Sequence, residues 1–193
     1  YSTILNNLDL KLVKVIDTHI HADHISALNE LNKRTNCIRV MGEKSKSEVI
    51  DLRIKDGEKI KVEEVELQAI YTPGHTDCSY SFLMNDRVFT GDTLLINGSG
   101  RTDFQNGNAY DAYDSIFNKL LKLPEKTLVF PAHDYNGKKF STIENEKNNN
   151  PRLQVSSKEE YADIMNNLNL ANPKMMDVAV PANVKGLTLD NIN

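Results

Sequence analysis

Short apolar runs alternate with amphipathic stretches along the chain. Residues 11–17 (Lys-Leu-Val-Lys-Val-Ile-Asp) are brief, apolar and β-branched, which predicts a buried strand. It runs directly into Thr18-His19-Ile20-His21-Ala22-Asp23-His24. Ile25, Leu28 and Leu31 then fall at helical spacing and predict a helix from about Asp23 to Lys33. Cys37 to Met41 reads as a second strand. Leu52 to Val62 alternates around Asp56-Gly57, a hairpin signal. Val65 to Tyr71 is a strand that stops at Pro73-Gly74, just before His75. Ser79 to Thr90 predicts a hairpin turning at Asn85-Asp86, with its second arm ending at Gly91-Asp92. Ala109 to Leu123 places Tyr113, Ile116, Phe117, Leu120 and Leu121 on one helical face, and Pro124 stops it. Thr127 to Phe130 is a strand ending at Pro131-Ala132-His133. The Asn-rich stretch Asn145 to Asn150 reads as a surface loop. Ser157 with Glu160 three residues later forms a capping box for a helix through Leu168.

Four of these strands end in a residue that can bind a metal: His19, His75, Asp92 and His133. Ligands on loops at strand ends are how a rigid scaffold builds a site. The strand–helix alternation, with its hairpins, predicts two sheets flanked by helices.

Composition narrows the function. At 193 residues the chain has the length of one domain. Its net charge is −4, with no basic stripe, which argues against nucleic acid as a partner. No apolar run approaches the roughly 18 residues of a membrane span. The two cysteines, Cys37 and Cys78, lie far apart and outside any CxxC pattern. That excludes a disulfide scaffold and a four-thiolate zinc site, and leaves Cys37 in the core and Cys78 as a small packed residue.

The five histidines are the informative residues. His19, His21 and His24 share six positions with Asp23. Residues i and i+2 of an extended segment project to the same side, so His19 and His21 can point into one cavity. Asp23 and His24 follow where the chain turns and can reach a neighbouring point. Imidazole and carboxylate together suit zinc or ferrous iron. The spacing retains every ligand needed for two metals and leaves mononuclear iron and binuclear zinc both open.

These residues carry a family resemblance. The H-x-H-x-D-H run, then His75, Asp92 and His133, resembles the metallo-β-lactamase superfamily. Within it, the chain resembles the persulfide dioxygenases, also called sulfur dioxygenases. The matching stretches are Asp17 to Ile25, Thr72-Pro73-Gly74-His75-Thr76, Phe89 to Ile96, Gly100-Arg101-Thr102-Asp103-Phe104-Gln105, Phe130 to Tyr135, Asn150-Pro151-Arg152-Leu153 and Asn167 to Leu170. The first motif is superfamily-wide; the G-R-T-D-F-Q run is the specific one. The resemblance implies an α/β (α+β) four-layer αββα sandwich, a single domain over 1–193, with the site at one edge between the sheets. Relatives carry an N-terminal segment preceding the position of Tyr1, so the first sheet is expected to be short of strands.

The resemblance also implies one Fe(II) per chain, held by His19, His75 and Asp92, the catalytic residues. His21, Asp23, His24 and His133 are then expected to surround that triad. They would hold a second metal in hydrolytic relatives. Arg152 and Tyr135 match family positions near the tripeptide, and Thr76, next to the ligand His75, is expected to contribute to substrate binding. The implied reaction oxidises glutathione persulfide with O2 and water to sulfite and glutathione. The alternative is a binuclear zinc thioester hydrolase of the glyoxalase II type, whose members lack the T-D-F-Q continuation after Gly100-Arg101. Arg101 and Asp103 are expected to pair and support the loop after Asp92. A homodimer, without nucleic acid or membrane partners, and a mitochondrial or bacterial cytoplasmic location complete what the resemblance implies.

Overall fold

The computed structural model describes residues 1–192. After a short helix α1 (Ser2–Asn7), the first sheet forms from β1 (Lys14–Ile16), β2 (Ile38–Gly42) and β3 (Leu52–Ile54), all parallel, in the order β1-β2-β3. Helix α2 (Leu28–Thr35) connects β1 to β2. The second sheet holds β4 (Lys59–Val62), β5 (Val65–Tyr71), β6 (Tyr80–Leu83), β7 (Arg87–Gly91), β10 (Leu128–Pro131) and β11 (Ser141–Thr142), in the order β11-β10-β7-β6-β5-β4. A small hairpin, β8 (Leu94–Leu95) with β9 (Gly98–Ser99), follows β7.

Strand alternation produces the four layers. On β2, Val40 faces the gap between the sheets, where it meets Ile60, Ala69, Tyr80 and Phe82. Its neighbour Met41 points the other way, into a cluster with Ile20, Leu28, Val180 and Val184. On β6 and β7, Leu83 and Val88 face away from the gap, toward Ile116, Leu120 and Tyr161. Each sheet is therefore apolar on both faces, and each outer face is covered by helices.

Helix α3 (Ala109–Tyr113) continues to Lys122, widening to π-helical over Asp114–Lys119 and tightening over Leu120–Lys122. The predicted apolar face is the buried one. This helix grips the strand end before His75: Ser115 Oγ donates to the Pro73 carbonyl at 2.6 Å and Lys119 Nζ to the Tyr71 carbonyl at 2.5 Å. Gly74, with φ +139°, lies so close that a Cβ there would sit 2.3 Å from Ala112 Cα. Only glycine fits this position.

Several expectations need correction. The alternation over 52–62 is not a hairpin: β3 joins the first sheet and β4 the second. Ile54 and Ile60 face one cluster from opposite sheets, so period and turn residues alone give no hint of the switch. The hairpin is instead β4–β5, through Glu63-Glu64. Helix α2 starts at Leu28, not Asp23, because Asp23 and His24 are drawn toward the site and Ser26 Oγ accepts the Leu28 amide. The Asn-rich stretch is not a surface loop: most of it lies in α4 (Ile143–Asn149). Glu146 and Asn150 are fully buried there, serving the interior with polar atoms. Helix α6 (Met176–Lys185) has no counterpart among the predicted elements, because Pro181 stands inside it. The Ser157 cap is present at the head of α5 (Lys158–Asn166), accepting the Glu160 amide at 3.1 Å, but the Glu160 carboxylate reaches back to Ser156 rather than Ser157.

Glu146 accepts from the Asn97 amide (2.9 Å), Ser141 Oγ (2.5 Å), Asn145 Nδ2 (3.1 Å) and Asn150 Nδ2 (2.7 Å), which fastens the β8–β9 turn to α4. Glu146→Leu strands these buried donors and is expected to cost about 3 kcal/mol or more, measured as the loss in urea-unfolding free energy.

Candidate metal centre

Each candidate ligand leaves a strand end. His19 follows β1, His75 follows β5, Asp92 follows β7 and His133 follows β10. The first comes from one sheet and the other three from the second, so the site straddles the sheet edges. His19 and His75 are buried, and their rings meet edge-on with centroids 4.9 Å apart. His19 Nε2 lies 3.9 Å and His75 Nε2 3.6 Å from Asp92 Oδ2.

The hydrogen bonds on the far side of each ring decide what faces inward. His75 Nδ1 lies 2.8 Å from the Arg101 carbonyl. A carbonyl only accepts, so Nδ1 carries a proton, and in the neutral ring Nε2 is left to present a lone pair toward Asp92. His19 Nδ1 shares a hydrogen bond with the Thr18 hydroxyl at 2.9 Å. Burial, and then the imidazoles of His21, His75, His133 and His24, hold His19 well below the usual histidine range, so it stays neutral. Asp92 Oδ1 is buried without a hydrogen-bond partner. His75 Nε2 and the buried Asp92 oxygens thus face one another across a gap wide enough for an ion, an arrangement that a cation stabilises. One donor atom each from His19, His75 and Asp92 lies within 4.8 Å of the others. This donor set fits a metal ion.

A second group adjoins the first. His21, Asp23 and His24 also offer donor atoms within 4.8 Å of one another. His24 Nδ1 lies 3.1 Å from Asp23 Oδ1. His133 Nε2 faces both groups, 3.2 Å from Asp23 Oδ2 and 3.6 Å from Asp92 Oδ2. His21 Nε2 is 3.8 Å from Asp17 Oδ1, and its Nδ1 is buried with no partner.

The G-R-T-D-F-Q run ties these parts together. The Arg101 carbonyl fixes His75, and its guanidinium pairs with Asp103 at 2.5 Å, as expected. The same guanidinium donates to the Ala171 carbonyl at 2.6 Å and covers the Phe104 ring. Gln105 Nε2 donates to the Ile20 carbonyl at 2.9 Å, between His19 and His21. Nothing in the sequence gives Gln105 a role, although it lies inside the most specific motif; only the fold brings it to Ile20.

A cavity of about 490 Å³ opens beside the donors. Asp23, His75, Asp92 and His133 line it together with Arg152 and an apolar wall that includes Phe104, Leu170 and Pro173. Arg152 donates through Nη1 to the Ser99 carbonyl. Among the described residues no carboxylate lies within ion-pair distance of it, and burial pushes its guanidinium value down. Tyr135 lines the same cavity, largely exposed and stacked parallel to His133. Thr76 is placed differently: it is buried, with its hydroxyl on Ser79 Oγ (2.7 Å) and Cys78 Sγ (3.4 Å), outside the cavity lining. Cys78 accepts the Ile20 amide at 3.5 Å, and burial pushes its thiol value up, which makes it a packed, unreactive residue.

The metallo-beta-lactamase superfamily profile matches residues 5–133. The mitochondrial persulfide dioxygenase ETHE1 of Mus musculus is 43% identical over 185 residues, covering 94% of this chain and 72% of that protein. The crystal structure of ETHE1 from Myxococcus xanthus superimposes with a TM-score of 0.93 at 48% identity, covering 95% of this chain and 81% of that one. A hydroxyacylglutathione hydrolase of Dictyostelium discoideum is more distant, at 32% identity over 152 residues, covering 73% of this chain and 56% of that protein. The chain belongs to the metallo-β-lactamase superfamily and, within it, to the persulfide dioxygenases.

Gly100 stands at the crowded point of the centre. A Cβ there would lie 1.9 Å from the Asp92 carbonyl oxygen and 3.0 Å from His75 Nδ1. Gly100→Ala is expected to lower the metal bound per chain at least several-fold while the far-ultraviolet circular dichroism stays native. Metal analysis after gel filtration checks it.

Proposed function

We propose that this metallo-β-lactamase-like domain is an iron-dependent persulfide dioxygenase. Its reaction takes glutathione persulfide, O2 and water to sulfite and glutathione. The observation that carries the reading is the two-histidine, one-carboxylate triad of His19, His75 and Asp92, of which His75 and Asp92 line a cavity that also presents the Arg152 guanidinium, free of any carboxylate partner among the described residues. In this reading the triad holds one Fe(II) per chain. Ferrous iron in a two-histidine, one-carboxylate set would supply open coordination positions together with a redox change, and zinc has no accessible redox change.

The chain's own residues do the rest. Arg152, poor in partners and partly desolvated, takes a carboxylate of the tripeptide. Tyr135 lines the same cavity as Arg152 and orients the carrier. Phe104, Leu170, Ala171 and Pro173 form its apolar lining and exclude water. His21, Asp23, His24 and His133 surround the triad and set its charge and orientation. Thr76, although next to His75, supports that loop from within through Ser79. A homodimeric state and a location in mitochondria or bacterial cytoplasm accompany this reading.

The second reading, a binuclear zinc thioester hydrolase, is favoured by one observation: His21, Asp23 and His24 form a second donor group beside the first. Metal analysis of anaerobically purified protein separates the two. About one iron per chain, with O2 uptake and sulfite release from glutathione persulfide, supports the dioxygenase. Two zincs per chain with oxygen-independent cleavage of S-lactoylglutathione would sink it.

Two substitutions test the assignments. His75→Ala is expected to abolish iron binding and O2 uptake, and retention of both would remove His75 from the ligand set. Arg152→Ala is expected to raise KM roughly tenfold or more with a smaller change in kcat, because a remote carboxylate contact is made equally in ground and transition states. A loss confined to kcat would contradict the anchoring role.

A further inference from the structure

Residues 19–26, which carry His19, His21, Asp23 and His24, take part in no backbone–backbone hydrogen bond among the described residues. Yet His19 and His21 are buried. The buried part of such a segment, residues 19–22, must find partners for its amides and carbonyls elsewhere. Side chains from distant positions supply them. Gln105 takes the Ile20 carbonyl and Cys78 the Ile20 amide. Further contacts fall to a single residue far along the chain.

Asn183, on α6, is 9% exposed. Its Nδ2 donates to the His21 carbonyl and to the His24 carbonyl, both at 2.9 Å, and its Oδ1 accepts the Ser26 amide at 2.8 Å. Both amide hydrogens and the amide oxygen are therefore spent on the segment that bears His21, Asp23 and His24. Asn183 is itself held firmly. Ser47 Oγ donates to its backbone carbonyl at 3.3 Å, the Glu48 amide donates to the Val184 carbonyl at 2.8 Å, and Val180 and Val184 pack with Ile20, Leu28 and Met41.

We propose that Asn183 is a positioning residue of the metal centre, fixing the backbone of the His21–Ser26 segment so that its side chains meet the first triad. The inference rests on the metal-centre reading above but not on which metal or substrate is native.

Asn183→Asp is the sharpest test. It keeps the volume and the acceptor for Ser26, but removes both donors and turns a carboxylate toward two carbonyls. Asn183→Ala removes all three contacts, and Asn183→Ser, which keeps one donor in less space, replaces it should the alanine variant unfold. Val155→Ala is the control, because it loosens the apolar cluster under α5 without touching the segment or Asn183. Cobalt(II) titration, followed by its d–d absorption, reads the site without substrate. Hydrogen exchange reads the Ser26 amide, and O2 uptake of the iron-loaded protein gives kcat and KM.

The Asn183 variants are expected to bind cobalt(II) about tenfold more weakly, as loss of groups that orient metal ligands does. Their Ser26 amide should exchange faster, and kcat should fall about tenfold with KM within twofold. Val155→Ala should lower the melting temperature and leave cobalt affinity and kcat unchanged. The proposal is overturned if folded Asn183→Asp binds cobalt(II) like the wild type. It is equally overturned if Val155→Ala, at a matched loss of melting temperature, weakens cobalt as much. Should the wild type bind cobalt(II) yet consume no O2 with glutathione persulfide, the dioxygenase reading fails. The cobalt and exchange results still decide the role of Asn183.

Discussion

The centre depends on holding two sheets in register at the edge where their strands end. His19 leaves the first sheet, while His75, Asp92 and His133 leave the second. The spacing of the donors is therefore set by the packing between the sheets, not by either sheet alone. The apolar layer of Val40, Ile54, Ile60, Ala69, Tyr80 and Phe82 sets that packing. One main-chain bond crosses the gap beside the site: the Tyr80 amide donates to the Thr18 carbonyl at 2.9 Å. Close-packed interiors yield little, so a slip of this layer would carry His19 away from the other donors.

Around that frame, the outer contacts are shared economically. Arg101 orients His75 with its carbonyl and fastens the 170–172 segment with its guanidinium. Gln105 and Asn183, far apart in sequence, both hold the backbone of the first motif. Glu146 and Asn150 fix the β8–β9 hairpin, whose Ser99 carbonyl receives Arg152. The candidate metal donors and the cavity groups thus stand on rigid elements through one further layer of hydrogen bonds, the condition for a precise site.

Much of this is legible in the residues. The strands over 14–16, 38–42, 65–71, 80–83, 87–91 and 128–131 follow from apolar runs bounded by Gly, Pro and Asn. The helix over 109–122 follows from its apolar face. The strand ends by themselves mark His19, His75, Asp92 and His133, since a metal ligand must be polar, buried and locally fixed. The departures share one cause, which is that local signals do not report distant partners. Leu52 to Val62 carries correct local signals, but two strands that face one cluster look alike whether they sit in one sheet or in two. Asn145 to Asn150 has the polarity of a solvated loop, yet Glu146 and Asn150 spend that polarity on buried donors and acceptors.

The sequence by itself determined the types of the candidate ligands, their places at strand ends and the resemblance that named the chemistry, because these depend on residue identity and short-range spacing. The tertiary structure decided which nitrogen of His75 faces Asp92, where Arg152 and Thr76 point, and that Asn183 serves a segment more than 150 residues away. Such contacts form only when the sheets and helices pack, and a residue's period along the chain carries no record of its partner across the fold.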